Sequence, residues 1–179
     1  MQFESMVEET IIGYLERLDY EFLNDSNEWL QNRDLDQFIN DDLLRESIIK
    51  INKISDDDII DEAIKKIKNI EYPSLFDKNR QFHKYLIDGI TIDSKKYKVN
   101  PTIRLIDFEN VNKNVFQVVH QVTYKEGNLT QARRPDVVIY VNGIPLVIME
   151  LKSFDVDSES ATLENAYAQL VIAESCIVS

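Results

Sequence analysis

Apolar positions at Phe3, Val7, Ile11, Tyr14 or Leu15, and Leu18 recur at helical spacing and predict a helix over roughly residues 3–18. A shorter helix is expected around 41–51. In "SDDDIIDEAIKKIKNI", Ser55 reads as a capping residue, with acids in the first turn and lysines in the last, the order a helix dipole favours. "SLFDKNRQFHKYLIDG" reads as another helix, stopped by Gly89. After Gly89 the period changes. "TIRLIDF", "NVFQVVHQVTY", "DVVIYVN" and "IPLVIMELKS" are short β-rich runs, separated by "ENVNKN", "KEGN" and "NG", which are turn compositions. Helical spacing returns in "SATLENAYAQLVIAES". The pattern thus predicts a helical part over about 1–89, a sheet over about 90–155 and a final helix over about 160–174, an α/β or α+β class.

The length of 179 residues and a hydrophobic fraction of 44% fit one domain with a packed core. The lone cysteine, Cys176, excludes a disulfide framework and a cysteine-built zinc site, and points to the cytoplasm. The N-terminus is acidic and amphipathic, unlike a signal peptide or a membrane span, so no membrane partner is expected. A net charge of −12 argues against nucleic-acid binding, which is largely electrostatic. Most of that acid precedes residue 80, however, and Arg133, Arg134 and Lys152 form a local basic group.

That group brackets "RRPDVVIYVNGIPLVIMELKS", an apolar hairpin sequence closed by Glu150 and Lys152 with only Leu151 between them. The charges have two readings: a strand end reaching solvent, or a site. As a site, Asp136 and Glu150 supply hard oxygen ligands for a cation such as Mg2+, and Lys152 an ammonium to orient or deprotonate an attacking water and offset phosphate charge. Together they meet the needs of metal-assisted phosphodiester hydrolysis. Residues two apart in a strand face the same way, so Glu150 and Lys152 would point into one site and Leu151 into the core. A two-residue Asn142-Gly143 loop would set Asp136 opposite Met149 and on the wrong face from Glu150. A three-residue loop, Val141-Asn142-Gly143, or a bulge elsewhere in the hairpin, is therefore expected.

The chain resembles the N-terminal nuclease domain of the restriction (R) subunit of type I restriction-modification enzymes, within the PD-(D/E)xK nuclease superfamily. The resemblance covers nearly its whole length: "FESMVEETIIGYLERLDYEF", "LRESIIKIN", "PSLFDKNRQFHKYLIDGI", "IRLIDF", "RRPDVVIYVNGIPLVIMELKS" and "NAYAQL" occur in the family's order. It implies a restriction-endonuclease-like fold, a mixed central sheet flanked by helices. Asp136 and Glu150 would be Mg2+ ligands, the backbone carbonyl of Leu151 a further one, and Lys152 the catalytic lysine. A glutamate on the first helix would face the site, Glu8 or alternatively Glu4. Gln169 matches the first position of a supporting Q-x-x-x-Y motif, while Ala173 stands at the tyrosine position. The resemblance also implies double-stranded DNA as substrate, with motor domains that use ATP and separate methylation and specificity subunits as partners. No G-x-x-x-x-G-K-S/T phosphate loop occurs here, so ATP would belong to the motor domains.

His83 and His120 have no nucleophilic Ser or Cys pattern around them and read mainly as structural. Arg133 and Arg134 are placed to meet DNA phosphates or are ordinary strand-edge charge. Trp29 and "NEWLQNRDLDQF" form either a packed loop or a partner-facing surface. Two rival functions stand beside the restriction nuclease. One is a PD-(D/E)xK repair or junction nuclease, which would carry a basic face; the other is a catalytically silent module that holds partner subunits.

Overall fold

The computed structural model describes residues 2–125 and 132–151, with side chains from Met6 onward. Along the chain lie α1 (Gln2–Arg17), β1 (Glu21–Leu23), α2 (Glu28–Asn32), α3 (Asp41–Asn52), α4 (Asp57–Lys68), α5 (Leu75–Asp88), β2 (Ile90–Thr91), β3 (Thr102–Ile103), a 3-10 turn (Val111–Lys113), β4 (Phe116–His120), β5 (Val137–Val141) and β6 (Ile144–Met149). Helices and a mixed sheet make the fold α+β. The described residues group into two compact units. One takes the chain up to Phe38, Phe116–Tyr140 and residues from Pro145 on; the other takes Ile39–Val115 and Val141–Ile144.

In the first unit the sheet order is β1-β4-β5-β6, with β1 parallel to β4 and Phe22 beside Val118, Leu23 beside Val119. Alternation along these strands separates two apolar clusters. Val118 and Val137 pack with Ile12 of α1, joined by Leu15, Tyr20, Phe22, Met149 and Leu151. Leu23, Val119, Val122, Tyr124, Val138 and Tyr140 form the other cluster, covered by Trp29, Leu30 and Phe38. Burying each such aliphatic side chain is worth about 1.5–3 kcal/mol, which fastens α1 to β4 and β5. β5 is buried at every position, as a central strand requires, and Pro145 falls on β6, an edge strand among the described residues, where a missing N–H is tolerated. The Trp29 segment is thus packed. Trp29 meets the Tyr140 ring edge-on at 5.5 Å, Phe38 stacks on Tyr124 at 5.1 Å, and the Arg33 guanidinium lies 4.6 Å from the Tyr124 ring centre. The Tyr124 and Tyr140 hydroxyls bond one another, and burial pushes both up.

In the second unit α3 buries Leu44, Ile48 and Ile51, and α4 buries Ile59, Ile60, Ala63, Ile64 and Ile67. Asn40 caps α3 by accepting from Leu43 N at 3.2 Å, and Ser74 caps α5 by accepting from Asp77 N at 3.1 Å. Gly89 ends α5 with φ of 80°, and a Cβ there would meet Ile103 O at 2.8 Å. Two expectations need correction. The cap of α4 is Asp56 rather than Ser55, and its side chain makes no capping bond. Instead its carboxylate takes Lys96 Nζ at 2.7 Å and the Tyr97 hydroxyl at 2.9 Å, and these partners, Lys96 first, hold it below the usual carboxylate range. "TIRLIDF" yields a strand only at Thr102–Ile103. Past it the chain turns around Asp107, whose buried carboxylate accepts from Lys113 Nζ at 2.8 Å, Asn110 N at 2.8 Å and Glu109 N at 3.1 Å. Those bonds organise a loop instead of a ladder.

Candidate functional site

Asn142 and Gly143 have φ of 54° and 81°, and β5 ends at Val141 while β6 begins at Ile144. This is the geometry of a type I′ turn, whose twist matches that of paired strands. The turn therefore has two residues, correcting the expected three-residue loop. Asn142 is among the residue types that visit the left-handed conformation most readily, and its side chain is held there by partners distant in sequence. Its Oδ1 accepts from Val115 N at 2.8 Å, and its Nδ2 donates to Leu105 O at 2.8 Å and Asn114 Oδ1 at 2.9 Å. Gly143 O accepts from Asn40 N at 2.9 Å, seating the turn on the first turn of α3.

The acids of interest flank the other end of the hairpin. Asp136 precedes β5 by one residue and Glu150 follows β6 by one, so neither belongs to the paired ladder. Counting from the turn sets Asp136 opposite Met149, and strict alternation would turn it from Glu150. Beyond the strand ends alternation no longer dictates direction. Asp136 Oδ2 accepts from Leu151 N at 2.5 Å, so its carboxylate meets the peptide that joins Glu150 to Leu151. Leu151 itself packs on the Ile12–Val118–Val137 cluster, as its apolar character requires. Asp136 and Glu150 are half-buried, and both have further interactions.

Glu8 reaches the same end of the sheet from α1. It is only 6% exposed, and its Oε2 accepts from Gln121 Nε2 at 3.1 Å and meets His120 Nε2. A carboxylate that deep needs such partners. His120 shares the face of Val118, two residues earlier in β4, which is the face α1 covers. Gln121, at φ of 50°, donates its backbone N–H to Asp136 O at 2.9 Å and accepts at its carbonyl from Arg134 Nε at 2.9 Å. Arg133 is tied through its backbone, exchanging two 2.7 Å bonds with Tyr124, while the Arg134 residue stays exposed. Among the described residues no group of three or more His, Cys, Asp or Glu side chains is placed to hold a metal ion.

Glu4 lies on the first turn of α1, before the described side chains. Lys152, Gln169, Ala173 and the expected final helix lie outside the described residues. His83 is exposed on α5, edge-on to Phe82. The sequence reading missed Gln121 and the pairing of His120. The available signal was the alternation of Val118 and His120, which aims the imidazole at the helix that bears Glu8. Among the described residues no helix is long and apolar enough to cross a membrane.

The family pattern described as type I restriction enzyme R protein N terminus matches residues 1–175. The type I restriction enzyme HindI endonuclease subunit of Haemophilus influenzae is 31% identical over 129 residues, covering 70% of this chain and 12% of that protein. A Methanocaldococcus jannaschii protein provisionally named the type I restriction enzyme MjaIXP endonuclease subunit is 39% identical over 87 residues, 45% of this chain and 8% of its own. The type I restriction enzyme EcoprrI endonuclease subunit of Escherichia coli is 37% identical over 76 residues, 42% of this chain and 22% of that protein. The matches thus span a small part of these curated relatives, 8% of the first and 12% of the HindI subunit. With the family pattern running from residue 1 to residue 175, the chain belongs to the type I restriction enzyme R protein N-terminal family.

Proposed function

We propose that this chain is the Mg2+-dependent endonuclease module of a type I restriction enzyme and cleaves double-stranded DNA. The observation that supports this most is the Asp136 carboxylate bonded to the Leu151 N–H, beside Glu150, in a member of this family. The donor chemistry fits: two carboxylates just past strand ends suit a hard cation that keeps most of its water, and they do not form an all-protein cage. Held by Asp136, Glu150 and the Leu151 carbonyl, Mg2+ would supply Lewis-acid charge at the scissile phosphate and a polarised water.

The chain's own residues do the rest. The Leu151 N–H holds the Asp136 carboxylate in one orientation. Lys152, two residues after Glu150, orients or deprotonates the attacking water and offsets charge building on the phosphate. Glu8 adds a third negative charge at the same sheet end, acting through water. Arg133 and Arg134 meet backbone phosphates without reading bases, and Gln169 supports the lysine or the DNA. In the whole enzyme, methylation and specificity subunits choose the site and ATP-driven motor domains move the DNA, all of it in the cytoplasm.

The test is DNA cleavage by a full-length restriction subunit carrying this chain, parent against Lys152→Ala. A loss of roughly 10²–10⁴-fold is expected for a group that moves a proton in the reaction; equal cleavage removes Lys152 from the mechanism. Ala173, at the position of the family's motif tyrosine, favours a second reading, a silent module that holds partner subunits. A parent that cuts no DNA in that setting supports it.

A further inference from the structure

We propose that Gln121 is a positioning residue that fixes Glu8 of α1 against the strand carrying Asp136. Three bonds converge on it. Its side-chain amide donates to Glu8 Oε2 at 3.1 Å, its backbone N–H donates to Asp136 O at 2.9 Å, and its carbonyl accepts from Arg134 Nε at 2.9 Å. One residue thus touches the α1 carboxylate, the backbone of Asp136 and a basic residue preceding it.

Its conformation is the second observation. Gln121 has φ of 50°, a region that disfavours a residue with a Cβ, and it follows directly on the end of β4. Glycine would take that conformation without strain. A glutamine kept there earns its place by what its side chain reaches, and that is Glu8. Strain of this kind persists only where the surroundings over-determine it. The left-handed turn ends the strand and lets one residue send its backbone to β5 and its amide to α1. His120, on the same Oε2 atom, holds the carboxylate from the adjacent position. For its catalytic consequence the inference rests on the metal-nuclease reading.

The experiment has one spectroscopic arm and one binding arm, both on the 179-residue chain. In the 15N-labelled parent the Gln121 side-chain amide is expected away from the free-amide position and slow to exchange, moving to the free position in Glu8→Ala. Gln121→Gly keeps the backbone bonds and removes the strain while it costs the buried Glu8 carboxylate one hydrogen bond, so its melting temperature should stay close to the parent's. Its Mn2+ affinity, measured by calorimetry, should nevertheless fall about tenfold, the size of effect typical of groups that orient metal-site residues. A merely structural role would leave that affinity unchanged. An amide at the free position in a parent that binds Mn2+ overturns the inference and leaves the nuclease reading standing. So does a Gln121→Gly variant with parental affinity. A parent that binds no Mn2+ overturns the nuclease reading, and the positioning role with it.

Discussion

Gly143→Ala tests the turn on which the site's hairpin depends. A Cβ at Gly143 would lie 2.5 Å from Asn40 O, 3.1 Å from Leu44 N and 3.3 Å from Asn40 Cβ, and φ is +81°. All three neighbours belong to the start of α3, so none can swing aside as a flexible side chain would. Left-handed backbone costs an alanine about 1–2 kcal/mol. Relieving the clash also strains the Asn40 N to Gly143 O bond and the Asn40 cap, a further loss of about 1–2 kcal/mol. At roughly 2–4 °C per kcal/mol for a chain of this size, the melting temperature should fall by about 5–15 °C. Gly13→Ala is the control. Nothing lies within 4 Å of a Cβ there, and the position is inside α1, so the change should stabilise by about 0.5–1 kcal/mol. Calorimetric melting of both variants reads the outcome. A Gly143→Ala melt within about 2 °C of the parent, or the same drop at both positions, refutes the reasoning.

Asn142→Gly relieves a left-handed asparagine yet strips the side chain from the half-buried Val115 N–H and the buried Leu105 carbonyl; urea unfolding should show a net loss of about 2–3 kcal/mol, and a gain would contradict the network. Asp107 is held down to about 2, first by Lys113 and then by the Asn110 N–H, against an ordinary 3.8. Because the folded value is depressed, its stabilisation is present above pH 3.8 and is lost as pH falls toward 2. The stability gap between parent and Asp107→Asn should be widest at neutral pH and close toward pH 2, and a pH-independent gap would sink this assignment.

Local rules made much of the fold legible. Periodicity and terminal residues located α1, α3, α4 and α5 to within a few residues, because each rests on its own spacing, and Gly89 ends α5 as expected. What failed depended on distant partners. β1 and α2 were not anticipated: β1 is three residues long and has meaning only beside β4, ninety-odd residues later. Asp56 stands at the cap position expected for Ser55 and makes no capping bond, because Lys96 and Tyr97, far along the chain, claim its carboxylate. At the site, chemistry singled out Asp136 and Glu150, and the family resemblance added Glu8 or Glu4, but the parity rule assumed that pairing ran as far as Asp136. It stops at Val137, which frees the carboxylate to reach Leu151 N despite a two-residue turn. Gln121 was invisible because no motif marks a backbone twist.

The central claim is that Asp136 and Glu150 hold a hard divalent cation. Calorimetric titration of Mn2+ and Mg2+ into the chain and its Asp136→Ala variant addresses it most directly. The account predicts binding by the parent and a loss of at least about tenfold in affinity in the variant. No binding by the parent, or equal binding by both, would contradict it.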